Sequence, residues 1–197
     1  MPTTRPSCRS LYVGPFMWGG LWLRNPRLRN LFPLIRGDII KSPFKTKENL
    51  MSNTIHLHRV LTAKPQKVFR AFVEPDAVAS WLPPFGFLCT VHELDAKVGG
   101  KHRMSFRNFT TGNGHSFGGT YLELVPGERI VYTDAFEDPH LPGEMKTTIT
   151  FKKVSMGTEM TIEQQGVPDV IPPEACYLGW QECLQKLSRL VQPEIND

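Results

Sequence analysis

Polar and apolar residues alternate along most of the chain after residue 53, which is the pattern of half-buried β-strands. Short turns interrupt the alternation, such as the Pro-Gly-Glu turn at residues 126–128. The pattern predicts strands over residues 54–63, 87–100, 101–109, 115–125, 129–138, 145–155 and 157–166. Since only a tight turn separates the last two strands, they are predicted to form a hairpin.

Three other segments have helical spacing. Two short helices are predicted over residues 64–73 and 75–82, directly after the first strand, and a long one over residues 172–195. The long segment carries an apolar stripe with spacings of three and four residues, made of Cys176, Trp180, Leu184, Leu187 and Val191. Because no other element is long enough to cover the sheet, we predict an α+β fold. Its curved antiparallel sheet wraps around the C-terminal helix and leaves space between them.

The strand over residues 129–138 raises the question of what its second face contacts. Tyr132, Asp134 and Phe136 lie on one face, and the residues between them on the other, and both faces look half-buried. A carboxylate inside an apolar cavity would have a raised pKa and could act as an acid or a base. The alternative, which we favour from the sequence, is an Asp134 that is solvated or hydrogen-bonded on an exposed face. Asp134 is therefore only a weak catalytic candidate.

The net charge of +4 is unevenly distributed. Residues 1–50 contain nine Lys and Arg against two Asp and Glu, whereas residues 51–197 contain fourteen against seventeen. A nucleic-acid-binding domain needs a basic face, so this chemistry is not expected of the folded part. No apolar run of about 18 residues is present, so we expect no transmembrane helix and no membrane partner.

The four cysteines are Cys8, Cys89, Cys176 and Cys183, and they form no C-x-x-C motif. Cys176 and Cys183 lie on the predicted long helix, about 10 Å apart at its rise per residue, which is too far for a disulfide. Reduced thiols of this kind indicate a cytoplasmic protein.

Residues 1–50 show no regular period, and three interpretations compete. A signal peptide is disfavoured because no alanine precedes Ala63, and a mitochondrial transit peptide because Pro and Gly interrupt any amphipathic helix. The third interpretation is that translation starts at Met51 and that the extension is not part of the natural protein. Lys47-Glu48 can be encoded by a ribosome-binding sequence at the right spacing from Met51. We therefore expect a poorly ordered or non-native segment over residues 1–50 and one domain over residues 51–197.

Several stretches of that domain resemble a known family when taken in order. They read AKPQKVFRAFVEPDAVASWLPPFGF, VGGKHRMSF, GGTYLELVPGERIVYTDAF and LGWQECLQKLSRLV. The resemblance is to single-domain members of the activator of heat-shock protein 90 ATPase homologue (AHSA-type) family, within the START-like or SRPBCC superfamily. It covers residues 54–191 and implies the helix-grip (Bet v-like) fold, with a hydrophobic cavity between the sheet and the long helix. It does not imply one function.

Within such a cavity, aromatic side chains are the expected ligand contacts. The residues that we predict to bind a ligand are Trp81, Phe106, Tyr121, Tyr132, Phe136, Trp180 and Leu184. For any one of the aromatic residues taken alone, a place in the core is the better explanation, whereas the aromatic set as a whole favours a cavity lining.

Other candidate sites carry less signal. The H-x-H pair His56 and His58 could bind a metal, but no third ligand is evident, so surface histidines and no metal site are expected. Known catalytic motifs such as G-x-S-x-G are absent from the sequence. Gly118 and Gly119 are predicted to mark a β-bulge that bends the sheet.

Three functions follow from this resemblance. The first is binding of a small hydrophobic molecule without a cofactor. The second is a cyclase- or isomerase-type enzyme that uses the same cavity. It requires a buried acid or base, for which Asp134 is the candidate. The third is a co-chaperone-like domain that activates a heat-shock protein 90 ATPase. The sequence does not indicate the ligand or the oligomeric state.

Overall fold

The structure is a computed structural model and describes residues 54–195. The predictions for residues 1–50, including Cys8 and the start at Met51, lie outside the described residues. The elements, in chain order, are β1 Ile55–Leu61, α1 Pro65–Val73, α2 Pro75–Trp81, β2 Phe87–Leu94, β3 Lys101–Asn108, β4 Gly114–Val125, β5 Arg129–Phe136, β6 Met145–Val154, β7 Gly157–Gln165 and α3 Pro173–Val191.

The seven strands form an antiparallel sheet in the order β1-β7-β6-β5-β4-β3-β2. Strands β2 to β7 follow one another as neighbours, which agrees with the predicted hairpin connections. Strand β1 instead pairs with β7, where Ile55 lies opposite Gln164. The predicted element order and the α+β fold class, with two short helices after the first strand and a long C-terminal helix, are confirmed.

Element ends follow local turn chemistry. The strand predicted over residues 87–100 ends at Leu94, because the chain turns before Gly99, which has φ of +80°. Pro65 and Pro75 begin α1 and α2, as expected for proline in a first helical turn. Helix α3 begins at Pro173.

Helix α3 buries the stripe that its spacing predicts. Leu184 is 1% exposed and Leu187 is fully buried. The helix lies close to α1, α2 and β1, and these elements share one hydrophobic core. Within this core, the side chains of Phe72 and Trp81 pack edge to face at 4.7 Å between ring centroids. The Nε1–H of Trp81 donates to the backbone carbonyl of Ala71 at 2.7 Å.

The predicted bulge at Gly118 and Gly119 is wrong. The register between β4 and β5 shifts between Tyr121 and Glu123, not at the glycines. These glycines instead allow close approach of neighbouring strands. A methyl group at position 119 would overlap the backbone carbonyl of Thr133 on β5. The absence of a side chain at position 119 therefore lets β4 and β5 lie close together.

Candidate functional site

A cavity with a volume of about 70 Å³ lies between α3 and strands β3 to β7. Its walls are mainly aromatic. Phe117 packs against Phe106 at 4.9 Å and against Phe136 at 6.3 Å between ring centroids. Phe117, Tyr132 and Phe136 remain half-exposed, so this wall is accessible from outside the protein. A second cavity of about 30 Å³ shares Leu82, Phe117, Tyr132 and Asp134 with the first.

The predicted ligand-binding residues fall into three groups. The larger cavity is lined by Phe106, Tyr132, Phe136 and Trp180, and the smaller one by Trp81, Tyr121 and again Tyr132. Leu184 lines neither cavity and belongs to the core. The structure thus brings six of the seven residues to two adjoining cavities.

Asp134 lies inside the protein, which makes the favoured expectation of an exposed position wrong. The residue is 7% exposed and lines both cavities. Its Oδ1 lies 2.6 Å from Nε2 of His102, which is 4% exposed. His102 is not among the predicted site residues. It could have been found from the alternation of β3, since His102 shares its face with Met104 and Phe106.

The His102–Asp134 pair depends on Gly119. His102 lies on β3 and Asp134 on β5, with β4 between them. His102 is opposite Gly119, and the pairing of Gly118 with Ala135 sets Gly119 opposite Asp134. Two strand spacings amount to about 9.6 Å, so the two side chains must meet above the middle strand. They can do so because position 119 carries no side chain.

Burial sets the protonation chemistry of this pair. It raises the pKa of the Asp134 carboxyl, while the hydrogen bond and the charge of His102 oppose this rise. Burial also raises the pKa of the Tyr121 and Tyr132 hydroxyls, and the nearby Asp134 carboxylate adds to both shifts. The rings of both tyrosines lie beside His102, at centroid distances of 5.2 and 5.4 Å. Both hydroxyls therefore stay protonated at neutral pH.

A second polar group, absent from the prediction, lies at the α3 side of the larger cavity. The Oε1 of Gln164 accepts hydrogen bonds from Trp180 Nε1 at 2.9 Å and from Cys176 Sγ at 3.3 Å. Its Nε2 donates to Thr147 Oγ1 at 3.3 Å. Gln164 alternates with the buried Met160 and Ile162 on β7, so the period of two could have indicated its inward position.

Two buried histidine nitrogens have no hydrogen-bond partner within residues 54–195. They are Nδ1 of His102 and Nε2 of His115. His115, which is not among the predicted site residues, lines the larger cavity. Burial lowers its pKa, although the charge of Asp138 opposes this shift. Buried nitrogens of this kind ordinarily have partners, so these two are available to a bound molecule.

No Lys or Arg is among the described residues that line the two cavities. Lys186, near Cys183 on α3, donates instead to the backbone carbonyl of Pro83 at 2.8 Å. Burial raises the pKa of the Cys183 thiol to about 12, and its Sγ donates to the carbonyl of Leu82 at 2.8 Å. The described lining of the two cavities therefore offers a carboxylate, imidazoles, hydroxyls and an amide within apolar walls, and no Lys or Arg.

The H-x-H pair lies elsewhere, on the exposed face of β1. His58 Nε2 lies 3.0 Å from Glu159 Oε1, and His56 is exposed. Among residues 54–195, no group of three or more His, Cys, Asp or Glu side chains is arranged to hold a metal ion.

Residues 62–192 match the family described as Activator of Hsp90 ATPase homolog 1-like protein. The chain belongs to this AHSA1 family. A comparison with curated proteins found no match.

Solved structures with the same fold come from several bacteria. Protein CV1439 from Chromobacterium violaceum is 59% identical, with a TM-score of 0.72, and the match covers 73% of this chain and 100% of that one. An AHSA1-like protein from Aeromonas hydrophila is 18% identical, with a TM-score of 0.59, and covers 73% and 99% of the two chains. A protein from Rhodobacter sphaeroides is 19% identical, with a TM-score of 0.64 and coverages of 71% and 91%. The predicted family and the START-like helix-grip fold are thus confirmed.

The AHSA1 fold is that of a ligand-binding domain. Within the described part of the chain, no helix is long and apolar enough to cross a membrane. The cytoplasmic location stays a prediction.

Proposed function

We propose that the protein binds a small hydrophobic molecule in the cavity between α3 and the sheet. The observation that carries this proposal is an aromatic-walled space with a buried polar pair at one side. Ligand sites have this composition, in which apolar walls supply desolvation and a few polar groups orient the ligand. A core built only for stability would close such space, since protein interiors pack at the density of organic crystals.

Native mass spectrometry of the full chain purified from its source cell tests the proposal. The expected result is an additional mass of one small molecule that is lost on denaturation. The variant Cys183→Leu fills part of the cavity from α3, so it should reduce the bound fraction. Cys89→Leu is the matched control, because Cys89 is half-buried on β2 and does not line the cavity.

Equal occupancy in the two cysteine variants would assign the bound molecule to another place. Absence of any bound molecule, followed by no binding of small apolar compounds in titration, would overturn the proposal.

A cyclase- or isomerase-type enzyme is the second candidate, and the burial of Asp134 beside His102 favours it. The buried pair could take a proton from the carbon next to a ligand carbonyl, exchange it with solvent, and deliver a proton or deuteron back to that carbon of the enolate. Deuterium incorporation into a cyclic ketone such as 2-cyclohexenone, followed by NMR in D₂O, tests this step. The protein should accelerate the exchange, and Asp134→Asn should abolish that acceleration. An equal rate with Asp134→Asn, or none above solvent, would exclude this role for the pair.

The co-chaperone role stays a prediction, supported by the family description alone.

A further inference from the structure

A carboxylate hydrogen-bonded to an imidazole forms one polar side of the two cavities. Asp134 Oδ1 and His102 Nε2 are 2.6 Å apart, a distance typical of a charge-assisted hydrogen bond. With an ionised Asp134, the proton between them belongs to Nε2. In neutral imidazole the other ring nitrogen is then an acceptor, and this Nδ1 has no partner in the described part of the chain. His102 lines the smaller cavity and Asp134 lines both.

The Gln164 side chain, at the other side of the larger cavity, already has hydrogen-bond partners. The Gln164 oxygen accepts from Trp180 and Cys176, and its amide donates to Thr147. Buried nitrogens without a partner in the described part of the chain remain on His102 and on His115, which lines the larger cavity. His102 differs from His115 because it adjoins the Asp134 carboxylate, which lines both cavities, so a ligand donor gains most at this pair.

Charge decides which ligands fit this place. A carboxylate ligand would bring a second anion beside Asp134, and no Lys or Arg lines either cavity. Burying an unpaired anion is costly, and like charges repel more strongly in a poorly hydrated site. A purely apolar ligand would leave the His102 nitrogen without a partner, which costs about 1–3 kcal/mol. A neutral hydrogen-bond donor avoids both penalties.

Volume limits the size of the ligand. The two adjoining cavities measure about 70 and 30 Å³. A dry cavity of about 150 Å³ accommodates benzene, so one ring is the largest ligand that modest side-chain movement would admit. Tyr132 lines both cavities and is only half-buried, and rotamer changes at binding surfaces are common.

From these observations we propose that the cavity selects a neutral one-ring molecule with a hydroxyl donor, a phenol-like ligand whose hydroxyl binds the His102–Asp134 pair. This inference rests on the proposed function, because it specifies the ligand class of the same cavity. The ring lies among Phe106, Phe117 and Phe136, and the hydroxyl points toward β3 and β5. Gly119, on the strand between the two members of the pair, places no side chain there.

Calorimetric titration of the full chain with three one-ring probes tests this proposal. The probes are para-cresol, toluene, which lacks the hydroxyl, and para-toluate, which is anionic. A purely apolar cavity would prefer toluene, since toluene loses no hydration of a hydroxyl on burial. A site that selects a hydrogen-bond donor should prefer para-cresol, because bound toluene has no hydroxyl and leaves a buried acceptor of the protein unpaired. We expect para-cresol to bind at least tenfold more tightly than toluene, and para-toluate to bind the most weakly.

The variant Asp134→Asn keeps the shape of the side chain and should reduce the affinity for para-cresol about tenfold while that for toluene stays constant. Circular dichroism confirms that the variant is folded, and the wild-type probe order tests the proposal without any variant. Toluene binding as tightly as para-cresol would overturn the donor selection but leave the proposed function intact. If Asp134→Asn still preferred para-cresol over toluene, the hydroxyl of para-cresol would bind other residues, and the proposed role of the His102–Asp134 pair would be overturned. Binding of none of the probes would overturn both proposals.

Discussion

Helix α3 contacts two different environments along its length. Near its C-terminal end, Leu187 and Val191 are buried in an apolar core that includes Phe72 and Phe151. Near its N-terminal end, Trp180 faces a cavity and hydrogen-bonds to Gln164. The same helical stripe thus stabilises the fold at one end and forms a cavity wall at the other. Burial of an apolar residue on this helix does not by itself distinguish the two uses.

The packed end should respond most strongly to a deletion of volume. Leu187→Ala removes a fully buried side chain and is expected to lower the free energy of unfolding by about 2–5 kcal/mol, measured by urea denaturation. Leu190→Ala, three residues further on the same helix, is the control, because Leu190 is 42% exposed. It should change stability by about 0.5 kcal/mol or less. Equal losses in the two variants would remove the distinction between the buried and exposed sides of α3.

Position 119 on β4, between His102 and Asp134, should be almost as sensitive, for a different reason. Gly119→Ala introduces a methyl group that overlaps the Thr133 carbonyl, and strands β4 and β5 must move apart. We expect a loss of about 3 kcal/mol, at the upper end for overpacking, together with loss of the His102–Asp134 contact.

Gly99→Ala is the control for Gly119→Ala, because it measures the cost of backbone strain without the close approach of a neighbouring strand. Gly99 has φ of +80° but no atom near the added methyl, so its cost is about 1 kcal/mol from conformation alone. Similar losses at both positions would show that β4 tolerates a side chain at residue 119.

The cavity wall should contribute less to stability. Phe136→Leu changes a half-exposed ring that faces the cavity, so a loss of about 1 kcal/mol or less is expected in urea denaturation. The same change should alter the binding of one-ring probes, because the ring forms part of the contact surface. If Phe136→Leu lowered the free energy of unfolding as much as Leu187→Ala, Phe136 would be part of the stabilising core and not of a cavity wall.

The smallest expected effect is a change in pH dependence. The raised pKa of Asp134 means that the folded state retains a proton that the unfolded state releases above its ordinary pKa of about 3.9. The free energy of unfolding contributed by this group therefore falls as pH rises from there to the raised pKa, and is constant above it. Asp134→Asn should remove that decline. Denaturation midpoints at a series of pH values measure it.

Glu137→Gln is the control with the opposite sign. The hydrogen bond from Arg103 lowers the pKa of Glu137, so this group adds stability as pH rises toward its ordinary pKa. Glu137→Gln should abolish this rise in the free energy of unfolding with pH. The effect should be small because the Arg103–Glu137 pair is exposed. An unchanged pH profile in Asp134→Asn would contradict the role of burial at residue 134.

The sequence predicted the fold well because periodicity is a local property. The alternation of β3 and the stripe of α3 each depend on one segment, and both were found with nearly correct ends. The polar pair depends on three strands at once. Asp134 could be placed inside only by knowing that His102 lies two strands away and that Gly119 leaves the space between them. Such register information is not contained in any single stretch of residues.

The pairing of β1 with β7 has a consequence for synthesis of the chain. His58 on β1 and Glu159 on β7 are separated by 101 residues, so the first strand has no partner until nearly the whole domain has been made. At about 5–20 residues per second, β1 waits roughly 5–20 s at the ribosome before its hydrogen-bonding edge can be covered. Contacts of such high sequence separation also slow folding itself. The nascent chain is therefore expected to depend on protection of that edge, and translation pauses before residue 165 should increase its aggregation.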